Sequence, residues 1–188
     1  PDVNIPSGEA MVRQGLYGQH TFQKLFGRKA TIGFNPDSFG HTSTLPQIIK
    51  KQGMDKYMFM RPGPNEKTLP TDLFWWQGAD GTKVLTYRIQ ESYNDSTLNG
   101  DRMKRVAGKA TDQPMKDFMY FFGAGDHGGG PTKENMKTIA KLKNEQGAPV
   151  ISYSTPERYF KKIESDKNLK LPTVNDDLQH HAVGCYTA

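Results

Sequence analysis

The chain has 188 residues, 35% of them hydrophobic, and a formal charge of +5 from 25 basic and 20 acidic side chains; 10 Phe, 8 Tyr and 2 Trp exclude a disordered polymer and suit one domain or a piece of a larger one. A mean hydropathy of -0.74 implies much polar loop, and lysines scattered without an arginine-rich arm read as a solvated surface, so no nucleic-acid partner is expected. No apolar run reaches a membrane span, and the single Cys185 excludes an internal disulfide or a thiolate zinc cage, a pattern that fits a reducing, cytoplasmic compartment.

The chain begins at Pro1 without Met, and its first residues lack the basic start and apolar stretch of a signal peptide, so it is expected to be cut from a longer polypeptide. Ser7-Gly8-Glu9, followed by Ala10, Met11, Leu16, Phe22 and Leu25, predicts a helix capped by Ser7 and stopped at Gly27. Ala30-Thr31-Ile32-Gly33-Phe34 reads as a buried strand, and Ser43 to Lys51 as a short helix with Pro46 in its first turn and Gly53 after its end. Tyr57-Met58-Phe59-Met60 is the next buried strand. Phe74 to Gln77 and Lys83 to Tyr87 flank Gly78-Ala79-Asp80-Gly81, whose Asp-Gly step predicts a tight hairpin with positive φ angles.

Residues 90 to 114 are polar and weakly periodic, with one short helix expected before a strand at residues 117 to 122. Pro131 and Thr132 start a helix over residues 132 to 146, with Met136, Ile139, Ala140 and Leu142 on its inner side and Gly147 as its breaker. A strand over residues 149 to 153 and an amphipathic helix opened by Thr155-Pro156-Glu157, carrying Tyr159, Phe160 and Ile163, complete the pattern. Strand and helix alternate, which predicts an α/β fold with a mainly parallel sheet and its working loops at the carboxyl ends of the strands.

Four of the five histidines fall in three clusters: Asn35-Pro36-Asp37-Ser38-Phe39-Gly40-His41, the glycine-rich Gly123-Ala124-Gly125-Asp126-His127-Gly128-Gly129-Gly130-Pro131, and Leu178-Gln179-His180-His181. Asp37 follows a strand and a stiff proline, which suits either a reactive carboxylate or a cap for the following segment. Asp126 sits on backbone that can approach a ligand closely, and no Gly-Lys-Ser/Thr follows to make the run a nucleotide loop, so a carbohydrate or another small polar ligand is expected. His180 and His181, adjacent on an extended segment, point to opposite faces, so only one can reach a given ion, and a purely structural role is open to both. Arg61, held by Pro62-Gly63-Pro64 after the second strand, either aims a fixed positive charge at the same pocket or lies on the surface. Phe39, Trp75, Trp76 and Tyr87 could offer flat surfaces to sugar rings, although Trp75 and Trp76 alternate in direction and at least one belongs in the core.

Taken together, Pro36-Asp37-Ser38-Phe39-Gly40-His41 with Leu45-Pro46, the run from Gly125-Asp126 to Gly130-Pro131-Thr132, and Gln179-His180-His181 through Gly184-Cys185-Tyr186-Thr187 resemble glycoside hydrolase family 38, the zinc-dependent α-mannosidases, over nearly the whole chain. The resemblance implies part of a seven-stranded β/α barrel-like catalytic domain, truncated at both ends and followed in full-length members by further domains. It makes Asp37 both nucleophile and zinc ligand, His181 a second zinc ligand and Asp126 the general acid/base; Arg61 and Phe39, from their own positions in the chain, are expected to bind substrate. The implied reaction is retaining hydrolysis of α-mannosides by double displacement, for which the two carboxyls are expected roughly 5 to 5.5 Å apart. The cis 2,3-diol of mannose suits chelation by zinc.

The family also binds zinc through a His-x-Asp pair near the start of its catalytic domain, and no His-x-Asp occurs in these 188 residues. Two further ligands are therefore expected upstream, and the isolated chain is expected to bind zinc poorly and hydrolyse little. The expected partners are a mannose-containing carbohydrate, the remaining domains of the enzyme and a second copy in a homo-oligomer, with no membrane. Two rival readings are a metal-dependent carbohydrate deacetylase, whose metal activates water, and a non-catalytic carbohydrate-binding fragment that uses aromatic platforms.

Overall fold

The computed structural model describes residues 2–98, 100–109, 113–126 and 128–180. They form two compact units, one of Pro1–Arg88 with Leu171–Ala188 and one of Ile89–Lys170.

The first unit opens with α1 (Gly8–Phe26), whose start and stop are the expected ones: Ser7 Oγ accepts from Ala10 N at 3.2 Å, and Gly27 closes the helix at φ 69°. After it come β1 (Ile32–Phe34), β2 (Gly40–His41), α2 (Leu45–Lys51), β3 (Lys56–Phe59), β4 (Leu73–Gln77) and β5 (Lys83–Arg88). The later segment of the unit adds β6 (Thr173–Val174) and β7 (Leu178–Gln179). Five strands make one sheet in the order β1-β3-β5-β4-β6, while β2 and β7 pair separately. The β1–β3, β3–β5 and β4–β6 pairs are parallel and β4–β5 is antiparallel, so the sheet is mixed and mostly parallel. Among the described residues the strands thus form an open five-stranded sheet and a two-stranded ribbon.

Alternating side chains from β3, β4 and β5 put Tyr57, Phe59, Phe74, Trp76 and Val84 in one cluster with Leu45 and Ile49 of α2, Met11 of α1, Val3, Val174 and Leu178. Removing this much aromatic and aliphatic surface from water is the main favourable term for the unit, at about 25 cal/mol per Å². Trp76 is fully buried and donates its Nε1 to Asp176 O at 2.8 Å, which settles it as a core residue. Arg88 and Asp72 form a buried ion pair, with Nε and Nη2 of the arginine 2.9 and 2.8 Å from Asp72 Oδ1.

Two local expectations for this unit change. The strand at residues 30 to 34 is buried only at Gly33, and Phe34 is 51% exposed, because β1 lies at the edge of the sheet. In the β4–β5 hairpin only Gly81 takes a positive φ, 84°, and the turn is held by Asp80, whose carboxylate accepts from Thr82 N and Oγ1 at 3.0 and 2.7 Å.

The second unit contains α3 (Gly100–Gly108), α4 (Lys133–Lys143) and α5 (Pro156–Ser165). Thr132 and Asn135 cap α4 reciprocally, Thr132 Oγ1 accepting from Asn135 N at 3.1 Å and Asn135 Oδ1 from Thr132 N at 3.0 Å. Tyr159, Phe160 and Ile163 form the buried face of α5 as expected. Ile139 and Leu142 are buried in α4, but Met136 and Ala140 face outward, and Asn135 takes an inner place, donating to Ser96 O at 2.9 Å. The strands expected at residues 117 to 122 and 149 to 153 do not form. The former makes a single bridge, Asp95 to Phe122, and the latter leaves Val150 and Tyr153 exposed. An apolar run becomes a strand only where a second strand offers a hydrogen-bonding edge, and among the described residues of this unit none does.

Candidate active site

β1 and β3 run parallel, so the turns after them leave the sheet side by side, the usual place for reactive groups in an α/β sheet. Asp37 lies in the first turn and Arg61 just past the end of β3. Pro36 O accepts from Met60 N and Arg61 N at 2.9 and 3.2 Å, which ties the two loops together through backbone. Arg61 Nε then donates to Asp37 Oδ1 at 2.9 Å, and its guanidinium carbon stands 5.1 Å from the Phe39 ring centroid. Glu66 Oε1 lies 3.8 Å from Arg61 Nη1, a loose charge pairing, while Glu66 Oε2 accepts from Gly63 N at 2.6 Å. Both Asp37 and Arg61 remain partly open to solvent, 44% and 39% by side chain, so the carboxylate is oriented and still reachable.

Of the expected site residues, Asp37, Phe39 and Arg61 are therefore brought together. Leu178 and Gln179 of the C-terminal cluster pair with the end of the first turn in the ribbon, where Gly40 lies opposite Gln179 and His41 opposite Leu178. His180 is exposed; His181 lies outside the described residues.

Asp126 belongs to the second unit. Its loop is closed by Gly123 N donating to Asp95 O and Ala124 N donating to Gly130 O, both at 2.9 Å. The glycines are needed there for space as well as for conformation: a Cβ on Gly129 would stand 2.5 Å from Ala124 O, at φ +147°. Asp126 itself has φ 73°, its side chain is exposed, and Tyr93 Oη donates to its Oδ1 at 3.4 Å. Asp95, buried, anchors the region. Its Oδ1 accepts from Thr97 N, Thr97 Oγ1 and Leu98 N at 3.2, 3.0 and 3.1 Å, and Tyr120 Oη donates to its Oδ2. Burial first, then the bond to Asp95, pushes the Tyr120 phenol above its ordinary range. Unit two also has a groove of about 700 Å³ walled by residues such as Phe118, Phe122 and Tyr153, and Asp126 is not part of its wall.

Sequence reasoning passed over Tyr57, Tyr93, Asp95 and His41 as working residues. Only His41 carried a usable signal, being the last residue of the first cluster. Among the described residues no group of three or more His, Cys, Asp or Glu side chains could hold a metal ion. Around Asp37 the described side chains make no such group, so they do not by themselves fit zinc. No helix among the described residues is long and apolar enough to cross a membrane.

A family model described as the glycosyl hydrolases family 38 N-terminal domain matches residues 1–182. The chain belongs to glycoside hydrolase family 38. Relatives include alpha-mannosidase G of Dictyostelium discoideum, 36% identical over 169 residues that cover 89% of this chain and 16% of that protein. Human alpha-mannosidase 2C1 is 34% identical over 188 residues, covering 99% of this chain and 18% of that protein. The family 38 chain thus spans less than a fifth of the length of these two relatives. In fold it is similar to the crystal structure of an alpha-mannosidase from Enterococcus faecalis V583, with a TM-score of 0.75 and 21% identity over 94% of this chain and 21% of that one.

Proposed function

We propose that the polypeptide carrying this chain is a retaining α-mannosidase in which Asp37 is the nucleophile and Asp126 the general acid/base. The observation that carries the reading is the Arg61-held carboxylate of Asp37 beside Phe39, in a chain whose family membership covers residues 1–182. In the first step a carboxylate oxygen of Asp37 bonds to the anomeric carbon as the glycosidic C–O bond breaks, and Asp126 gives its proton to the departing oxygen. In the second, water attacks the same carbon from the vacated side, returns its proton to Asp126 and frees Asp37. Arg61 keeps one oxygen of Asp37 occupied and the carboxylate aimed, and Phe39 offers the sugar a flat face.

The same reading places Asp37 and His181 among the ligands of a zinc ion completed by two donors outside these residues, since no His-x-Asp is present. Zinc there would supply a Lewis acid for the vicinal hydroxyls of mannose. The chain would be part of a seven-stranded catalytic barrel, active in the cytoplasm and only as part of the complete polypeptide. The test is hydrolysis of an aryl α-mannoside by the complete polypeptide, followed by NMR of the first-formed anomer. Net retention and loss of turnover on chelation or in Asp37→Asn are expected. Inversion, or acetate release without glycosidic cleavage, would overturn the mechanism, and robust turnover by the isolated 188 residues would overturn the incomplete-site part of the reading.

A further inference from the structure

His41 lies four residues after the candidate nucleophile, yet it faces away from solvent entirely, with no exposed surface. Its ring sits edge-on among Tyr57, Phe59 and Trp76, at centroid distances of 5.5, 5.4 and 6.4 Å. A buried imidazole in such surroundings needs partners for both nitrogens, and it has them: Nε2 lies 2.7 Å from Arg61 O and Nδ1 2.8 Å from Tyr57 Oη. A carbonyl oxygen can only accept, so Nε2 must carry the hydrogen, and Nδ1 then accepts from the Tyr57 hydroxyl. Tyr57 has a prepared seat, because a Cβ on Gly33 would stand 2.7 Å from its Cδ2.

The turn from residue 36 to residue 41 therefore grips Arg61 at three points. Pro36 O holds its backbone N–H, Asp37 Oδ1 holds its Nε, and His41 Nε2 holds its carbonyl. Only the middle contact touches the carboxylate. The outer two fix where the guanidinium begins, and a guanidinium displaced by a fraction of an ångström carries Asp37 with it.

We infer that His41 is a positioning residue for this site: as the neutral Nε2–H tautomer, oriented by the Tyr57 hydroxyl, it locks the Arg61 backbone and so sets the direction of the Asp37 carboxylate. The inference rests on Asp37 being the nucleophile. Asp37 and Arg61 are surface groups on loops, and the Tyr57–His41 pair is their rigid link to the sheet.

The experiment uses the complete polypeptide with His41→Leu, His41→Gln, Tyr57→Phe and, separately, Asp37→Asn. Active sites are counted by covalent labelling with a 5-fluoro mannosyl fluoride and mass spectrometry, so that kcat refers only to folded, competent enzyme. His41→Leu should lower kcat per labelled site roughly 10- to 100-fold with KM little changed, the size expected when a reacting group is held slightly out of line. His41→Gln should restore most of the loss, because its amide N–H₂ can donate to Arg61 O in place of Nε2. Tyr57→Phe should give a smaller fall of the same kind, and it alone decides the matter if His41→Leu does not fold. Unchanged kcat per site in Tyr57→Phe and in the folded His41 variants, or a Gln variant no better than Leu, would overturn the inference. Undiminished labelling of Asp37→Asn would instead overturn the assignment of the nucleophile, a separate result.

Discussion

A single guanidinium makes three contacts beside Asp37: it donates to the carboxylate, lies near Phe39 and faces the Glu66 carboxylate at 3.8 Å. Lysine has the charge but neither the planar fork nor the stacking face. Arg61→Lys in the complete enzyme should therefore lower kcat/KM by roughly tenfold or more, and steady-state kinetics on an aryl α-mannoside would check it. His41 offers a second measurement at this scale. Burial, opposed by the Arg61 carbonyl and Asp2, lowers its pKa from 6.5 to about 4. As pH falls the unfolded chain takes up this proton before the folded one does. The stability it contributes is fully present above pH 6.5 and is lost as pH falls toward about 4, by about 3 kcal/mol at the limit. Urea midpoints at pH 7.5 and pH 5 should fall further apart in the wild type than in His41→Gln. The part of the site that could be read from sequence was the carboxylate and arginine, because both follow apolar strands. The Tyr57–His41 link could not, since it joins residues 16 apart through side chains that a linear pattern marks only as apolar or polar.

Among the elements, those whose signals are local came through intact. Ser7 caps α1, Thr132 caps α4, and Tyr159, Phe160 and Ile163 bury one face of α5, because capping and helical spacing depend on residues within a turn or two. Residues 117 to 122 and 149 to 153 looked as apolar as β3 does, but a strand needs a neighbour, and no property of the run itself announces one. The glycine loop is the element on which the candidate acid/base depends. Gly129→Ala would force a methyl group against Ala124 O in a backbone conformation that alanine rarely adopts. We expect it to cost the complete enzyme most of its activity while lowering its melting temperature by only a few degrees, since the strain is confined to the loop. Parallel assays of turnover and thermal unfolding would show whether the two effects separate.

At the scale of the whole molecule, the alternation of strand and helix correctly indicated an α/β fold, and the Asp-Gly turn the antiparallel β4–β5 hairpin, but not the division into two units or the parallel return of β6 beside β4. Those depend on long-range pairing, such as Trp75 with Thr173 and Trp76 with Val174. Asp72 and Arg88 are buried together, and Arg88 Nη1 also donates to Lys67 O at 2.8 Å. Asp72→Ala would leave a guanidinium buried without its counter-charge, at a cost of about 3–5 kcal/mol. Denaturant unfolding should show a large drop in midpoint, whereas Asp37→Asn, at an exposed carboxylate, should leave the midpoint nearly unchanged.

The first unit is written in two instalments, with Ile89–Lys170 lying between them in sequence. As the polypeptide leaves the ribosome, β4 and its aromatic residues emerge well before β6 exists to cover their free edge. The turn that carries Asp37 likewise waits for Leu178 and Gln179 to complete its ribbon. Assembly of this site thus waits until the whole of Ile89–Lys170 has been made, and until then the nascent chain carries a sheet with the β4 edge uncovered.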